Sequence, residues 1–223
     1  MLEFKKDKDK DGYYFIEESR KFCTPNGYPV KVNSKKHAEI IIRDIHNKNI
    51  QNDQNSILSL TLFSCNLSGS DRKELRNKII NKLKYDYVLF RDFSDDEIVK
   101  KMNKEFNPFM TSFSDIFGIN FTLNQNILLN SKTTISSKFK DYLKKLNNSE
   151  ITILYKLSNL TNSIILSFFF MKKKISCKRL FKLVNIEYNY QQKRWGVLKE
   201  HKLNNVFLEN ALANIDYFLK NMS

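Results

Sequence analysis

Apolar and polar positions change rhythm along this chain near residue 68. From Gly12 to about Ser64 short runs dominate. "YYFI" and "RKFC" lead into "TPNGYPVKV", where Asn26-Gly27 between apolar runs predicts a hairpin turn. "SILSLTLFS" sets Leu58, Leu60 and Leu62 against Ser59 and Thr61, which predicts a strand with one packed face. Between these, "SKKHAEIIIRDIHNK" has helical spacing, with Ser34 at the N-cap and Ala38, Ile41, Ile42 and Ile45 on one face.

After Ser68-Gly69-Ser70 the period becomes helical. Asp71 and Glu74 have capping-box spacing ahead of Leu75, Ile79 and Leu83, and Ser94 with Glu97 repeats the device before "IVKKMNKEF". "NPFMTSFSDIFG" predicts a short helix stopped at Gly118, and "INFTL" (119–123) a strand returning to the first half. Further helices are predicted over Ser136–Leu146, Thr152–Met171, Lys178–Arg194 and Leu203–Leu219. The second of these is apolar nearly all round at Ile164, Ile165, Phe168 and Phe169, as a buried central helix would be. The expected fold is α+β: a small β-rich N-terminal domain with one helix (1–68), then a larger, mostly helical domain (69–223).

Composition supports a folded, helix-rich chain. Of 223 residues 41% are hydrophobic, and only 5 Gly and 3 Pro interrupt the pattern. The net charge of +14 suits an acidic partner, although abundant Lys, Asn and Ile also fit the bias of an AT-rich genome. Cys23, Cys65 and Cys177 are scattered and odd in number, which suits a reducing compartment and argues against a disulfide frame or a zinc site. "MLEFKKDKDKDG" has neither a signal nor a transit pattern, and "SIILSFFFM" falls short of the roughly 18 residues that span a bilayer. A bacterial cytoplasmic protein is expected, or a mitochondrial matrix protein if the source is eukaryotic.

Catalytic patterns are missing. The sequence has no GxxxxGK[ST] or GxGxxG loop, no HExxH spacing among His37, His46 and His201, and no GxSxG elbow. Asp95-Asp96 and Glu17-Glu18 fall at a helix start and a turn, where acids are at home without catalysis. Binding remains. Between Lys172 and Lys202 ten Lys and Arg face only Glu187 and Glu200, with Phe181, Tyr188, Tyr190 and Trp195 interleaved, a pattern open to RNA or DNA. The same segment also carries Leu180, Leu183, Val184, Glu187, Tyr190, Gln191 and Arg194 at helical steps, a stripe that turns from apolar to polar as a protein interface would.

Here the chain resembles the alpha-subunit chaperone family of the ATP synthase catalytic head, known as assembly factor 2. "TNSIILSFFF" is similar to that family's central apolar helix, and Ile186-Glu187, Tyr190-Gln191 and Trp195-Gly196 follow its next helix without a gap. Arg20, Phe22, Thr24 and Pro25 match its opening strand pair, His37-Ala38-Glu39 its first helix, and "YDYVLFR" a segment supplying Asp86 and Arg91. Phe106-Asn107-Pro108, then Gly118, Phe121 and Leu123, resemble its Trp-Asp-Pro and the strand after it. The resemblance covers Tyr14 to His201. It departs at Asp44-Ile45, where the family has Glu-Trp, and at Phe106-Asn107, and it thins the acids after Trp-Gly to Glu200.

The resemblance implies a chaperone without catalysis or cofactor. It would bind the unassembled alpha subunit as a monomer, with no nucleic acid and no membrane insertion, and hold that subunit until it pairs with beta. It points to Glu187, Tyr190, Gln191, Trp195, Gly196 and Glu200 as client-binding residues. Arg20, Thr24, Pro25, Asp86, Arg91, Pro108 and Gly118 become structural positions, with Asp86 and Arg91 as hydrogen-bonded partners. The competing expectations are a basic nucleic-acid-binding protein using Lys172–Lys202 and a subunit that stays in the finished complex.

Overall fold

A computed structural model describes residues 2–7, 12–91, 93, 95–123, 133–196 and 199–221. A small antiparallel sheet precedes eleven α-helices, counted among the described residues. Strand β1 (Leu2–Lys6) pairs with β2 (Tyr13–Glu17), placing Phe4 opposite Phe15; β3 (Arg20–Lys21) and β4 (Lys31–Val32) both pair with β2. Glu18 and Ser19, both at positive φ, close the tight β2–β3 turn. At the predicted Asn26-Gly27 turn, the Thr24 N–H donates to the Tyr28 carbonyl at 2.8 Å, and Gly27 takes φ +80°. The described helices are α1 (Lys35–Asp44), α2 (Lys48–Asn52), α3 (Ile57–Asn66), α4 (Gly69–Leu83), α5 (Asp96–Phe117), α6 (Ser137–Lys145), α7 (Asn148–Thr161), α8 (Ile164–Met171), α9 (Cys177–Val184), α10 (Ile186–Trp195) and α11 (Lys199–Asn221).

The chain forms two compact units. One draws on Met1–Lys73, Asn147–Ile153 and Asn210–Ser223, the other on Glu74–Leu146 and Leu154–Glu209. In the first, Phe15, Val30, Val32, Ala38, Ile41 and Leu58 form the core, and Ile151, Leu212, Ile215 and Phe218 are buried too. Ser34 caps α1 as predicted, its hydroxyl accepting from the His37 N–H at 3.2 Å. The run read as a strand, "SILSLTLFS", is helix α3 instead. Ser56 caps it through the Ser59 N–H, and Leu58, Leu60, Thr61 and Ser64 are all buried. Alternation in so short an apolar run does not distinguish a strand from a helix buried on several sides, and here the cap decides. Thr61 is satisfied inside, donating to the Ile57 carbonyl at 2.7 Å and meeting His37 Nε2 at 2.8 Å.

Several boundaries shift in the second unit and at its entry. Ser68, one turn before Asp71, caps α4: its hydroxyl accepts from the Asp71 N–H and the Asp71 carboxylate returns to the Ser68 N–H at 2.9 Å. Ser94 lies outside the described residues, and the cap seen on α5 is Asp95, accepting from the Glu97 N–H at 2.9 Å. The two helices predicted on either side of Asn107 are one. Pro108 stands inside α5 on an exposed face, while Ile98, Met102, Phe106, Phe113 and Phe117 carry an unbroken apolar stripe past it. Gly118 ends that helix in the left-handed conformation at φ +65°. No strand forms at 119–123: Ile119 is buried, and Phe121 packs on Phe113 with ring centroids 6.0 Å apart.

The predicted Thr152–Met171 helix is two helices. Asn162 at φ +52° and Ser163 break it, and α8 follows with Ile164 to Phe170 all buried. The N–H groups at the start of α8 are buried and need acceptors. The buried Asp86 carboxylate supplies one oxygen, accepting from Ile164 at 2.6 Å and Ile165 at 3.0 Å, and its other oxygen accepts from Val88 at 3.0 Å. Burial pushes that carboxyl up to about 6 even against these donors and the Ser163 hydroxyl. Arg91 is not its partner. The guanidinium donates to the Val88 and Phe90 carbonyls, both at 2.7 Å, and to Asn103 Oδ1, over the Phe106 ring.

Replacing Asp86 by Ala orphans the first N–H groups of α8 inside the core. The expected loss is about 3 kcal/mol, from two or three buried donors left unsatisfied, and chemical denaturation of the variant against the parent chain measures it. In the other unit, burial lowers the His37 imidazole from 6.5 to about 4, opposed by the Asn221 carbonyl. A lowered folded-state value means that stability is complete above 6.5 and declines as pH falls from 6.5 toward 4. The loss is on the order of 3 kcal/mol. Urea midpoints measured from pH 7 to 4 are expected to fall more steeply for the parent chain than for His37→Gln. The opposite contribution of Asp86 cancels in that comparison.

Candidate functional site

The helix predicted over Lys178–Arg194 is divided at Asn185. The Asn185 side chain donates Nδ2 to the Phe181 carbonyl at 3.1 Å, and the residue ends α9 and begins α10. An asparagine whose side chain serves the preceding turn competes with the backbone ladder, so the axis breaks there. The stripe is therefore split: Leu180, Leu183 and Val184 belong to α9, while Glu187, Tyr190, Gln191 and Arg194 belong to α10. Leu180, Leu183, Ile186 and Tyr190 are buried.

Tyr190 is anchored inside the unit. Its hydroxyl donates to the Asp95 carboxylate, which also pairs with Arg194 at 2.6 Å, and the Arg194 guanidinium covers the Tyr190 ring 5.1 Å from its centroid. The hydrogen bond to Asp95, then burial, push the Tyr190 hydroxyl up to about 12. The same bond holds the Asp95 carboxyl below the usual carboxylate range. Tyr190 thus ties α10 to the cap of α5 and presents only 7% of its surface.

Glu187 and Gln191 lie one turn apart on α10, and the Gln191 amide donates to the Glu187 carboxylate at 3.1 Å. Both line a cleft of about 380 Å³, whose wall also includes Tyr87, Asn162, Asn185 and, from α11, Asn204 and Asn205. Burial holds the Glu187 carboxyl above its ordinary value, with the Gln191 amide pulling the other way. The Tyr87 hydroxyl is buried without a well-formed hydrogen bond among the described residues. Its Glu187 neighbour adds to burial in disfavouring the phenolate. Beyond Gln191, Trp195 stands 75% exposed, and Gly196 ends the helix at φ +84°. Glu200 falls in α11, and its side chain is outside the described residues.

The structure therefore brings Glu187 and Gln191 together in a cleft, leaves Trp195 and Gly196 on the surface, and takes Tyr190 inside. The family-matching Arg20, Thr24 and Pro25 belong to the other unit, around the β3 hairpin; Thr24 is buried, its hydroxyl accepting from the Tyr28 N–H at 3.3 Å. Sequence reasoning missed the asparagine wall, and it predicted a helix over Leu203–Leu219 without assigning a face to Leu203, Val206 and Phe207. These three are 73%, 56% and 54% exposed, at the i, i+3, i+4 spacing of one face. Among the described residues no group of three or more His, Cys, Asp or Glu could hold a metal ion, and no helix is long and apolar enough to cross a membrane.

No family model matches the sequence. A curated relative does: the mitochondrial protein atp12 of Schizosaccharomyces pombe is 22% identical over 224 residues, spanning 93% of this chain and 77% of that one. In sequence the chain is similar to an Atp12 protein along nearly its whole length. Its fold is shared with solved structures. Atp12 from Paracoccus denitrificans superposes with a TM-score of 0.76 at 16% identity, over 98% of this chain and 94% of its own. The Atu1473 protein of Agrobacterium tumefaciens superposes at 0.78 and 15% identity, over 100% and 84%. The α+β architecture expected from the sequence is the architecture of the Paracoccus Atp12 structure.

The exposure of the sole tryptophan is directly measurable. In the native protein Trp195 is expected to emit as a solvated indole, with acrylamide quenching it nearly as well as free tryptophan. A blue-shifted, protected emission would contradict the placement of the α10 terminus.

Proposed function

We propose that this chain is a chaperone of ATP synthase assembly, binding the unassembled alpha subunit and shielding it from aggregation until it pairs with beta. The observation that carries the proposal is the match to an Atp12 protein along nearly the whole chain, joined to the shared fold. The physical logic is mass action. An unassembled subunit exposes an obligate apolar interface, and a binder that covers it lowers the concentration of the aggregating species. Exposed apolar side chains on the helical unit, Trp195, Leu203, Val206 and Phe207, suit such work, and Glu187 and Gln191 add directional polar groups beside them on α10. In this reading the protein carries out no reaction and holds no cofactor. A mitochondrial matrix or a bacterial cytoplasm is a fitting place, since both make ATP synthase heads and the fission-yeast relative is mitochondrial.

Glu187→Lys is the sharpest test. The variant is expected to fold like the parent but to lose suppression of alpha-subunit aggregation, down to the level seen without chaperone. A folded variant with undiminished protection would remove Glu187 from the site. Capture from cells distinguishes the wider readings. Free alpha subunit without beta supports the chaperone; ribonucleoprotein recovered in a strongly salt-dependent manner would favour nucleic acid, and a fixed place in the finished enzyme would favour a structural subunit.

A further inference from the structure

Ten Lys and Arg occur between Lys172 and Lys202, yet among the described residues none lines the cleft beside α10. The formal charge on its wall is the Glu187 carboxylate. Among the described residues no Lys or Arg pairs with that carboxylate, and its polar partner is the Gln191 amide. In a chain carrying +14, a half-buried acid left without a cation is conspicuous.

The amides beside it are oriented by chemistry. Gln191 gives its NH₂ to the Glu187 carboxylate and Asn185 gives its NH₂ to the Phe181 carbonyl. Carboxylate and carbonyl oxygens only accept, so neither amide can be turned around without losing its bond. Each is left with a carbonyl oxygen to offer. The wall is therefore rich in acceptors, with Tyr87 and Tyr188 supplying aromatic surface. A group that matches it is cationic, planar and rich in donors. Guanidinium offers five N–H donors in a fork and stacks on aromatic rings, whereas an ammonium is a point charge with three donors and a stronger hold on water.

We infer that this cleft seats an arginine side chain of the bound polypeptide, its guanidinium on the Glu187 carboxylate and the Gln191 carbonyl oxygen and against the tyrosine rings. The inference rests on the client-binding reading of Glu187 and names the chemistry recognised there. The surrounding bases do not forbid it. Exposed charges beyond about 8 Å are largely screened at physiological salt, whereas a contact pair in a half-buried cleft is charge-assisted and short. Burial already holds the Glu187 carboxyl above its ordinary value, and an arriving cation reverses that shift.

The test uses the full chain and fluorescent overlapping peptides of the alpha subunit, read by anisotropy. At least one peptide is expected to bind through a single arginine. Replacing that arginine by citrulline, its neutral isostere, is expected to weaken binding about ten-fold, the scale of one charge-assisted hydrogen-bond pair. Glu187→Gln is expected to weaken the parent peptide by the same factor and to make the citrulline replacement silent. Binding that no arginine controls, or a citrulline effect undiminished in Glu187→Gln, overturns the inference. If Glu187→Gln protects the alpha subunit as the parent chain does while Glu187→Lys does not, the client site stands and the arginine seat falls. If Glu187→Lys also protects, the client-binding reading of Glu187 falls first.

Discussion

A buried carboxylate at the head of a buried helix governs the helical unit. Helix α8 has no polar face: Ile164 through Phe170 are all inside. Such a helix can be buried only if the N–H groups of its first turn find acceptors there too, because an orphaned donor in an apolar core costs as much as a lost hydrogen bond. Asp86, brought from 78 residues upstream, meets that need with a charge that the helix dipole also favours. The cap has a second consequence. Tyr87 follows Asp86 directly, and its N–H donates to the Asn162 carbonyl at 3.0 Å, in the left-handed turn that separates α7 from α8. Tyr87 and Asn162 are both walls of the cleft. One interaction thus completes the core and fixes one side of the candidate site.

The opposite wall depends on a second long-range tie. Helix α10 is short and mostly polar, so its own propensity cannot hold it in place. Tyr190 holds it by reaching the Asp95 carboxylate at the start of α5, with Arg194 closing the triad over the ring. The break at Asn185 separates this tie from the α9 packing, so Glu187 and Gln191 line the cleft while Ile186 and Tyr190 go inward. Tyr190 therefore positions α10 and, with it, the Glu187 and Gln191 wall of the cleft.

Local chemistry was the legible part of the sequence. Ser34, Ser136 and Gly118 terminate helices as their side chains or backbone freedom demand, and Asn26-Gly27 turns the chain. The apolar richness of Ile164–Phe170 likewise marked the buried helix. What failed were judgements requiring knowledge of neighbours. "SILSLTLFS" alternates well enough for a strand, yet its hydroxyls find partners within a helix and on His37. The breaks at Asn162 and Asn185 leave hydropathy almost unchanged, since both residues are polar in stretches that tolerate one. Nor does any local signal show that Asn210–Ser223 packs with the N-terminal sheet unit: its apolar spacing would suit a helical core equally well. The site divided in the same way. Residue order carried Glu187, Gln191 and Trp195, whereas the asparagine wall and the exposure of Leu203, Val206 and Phe207 depend on which faces the fold leaves bare.

The charge of the chain acquires a meaning from this geometry that composition alone could not supply. Lysines exposed along α9 and α10, among them Lys178, Lys182 and Lys193, give the helical unit a positive field that draws an acidic surface from a distance and weakens with salt. At contact range the order reverses: the cleft excludes those lysines and offers acceptors around one acid. A partner satisfying both ranges is broadly acidic and carries a basic side chain at the point of docking. Attraction of the first kind speeds encounter with many polypeptides, and the second kind discriminates among them. A chaperone of the kind proposed, recognising one unassembled subunit and later releasing it, would gain from that separation. Its selectivity would then rest on a few desolvated polar contacts that a competing partner can strip away one at a time, and not on the summed area of an apolar face.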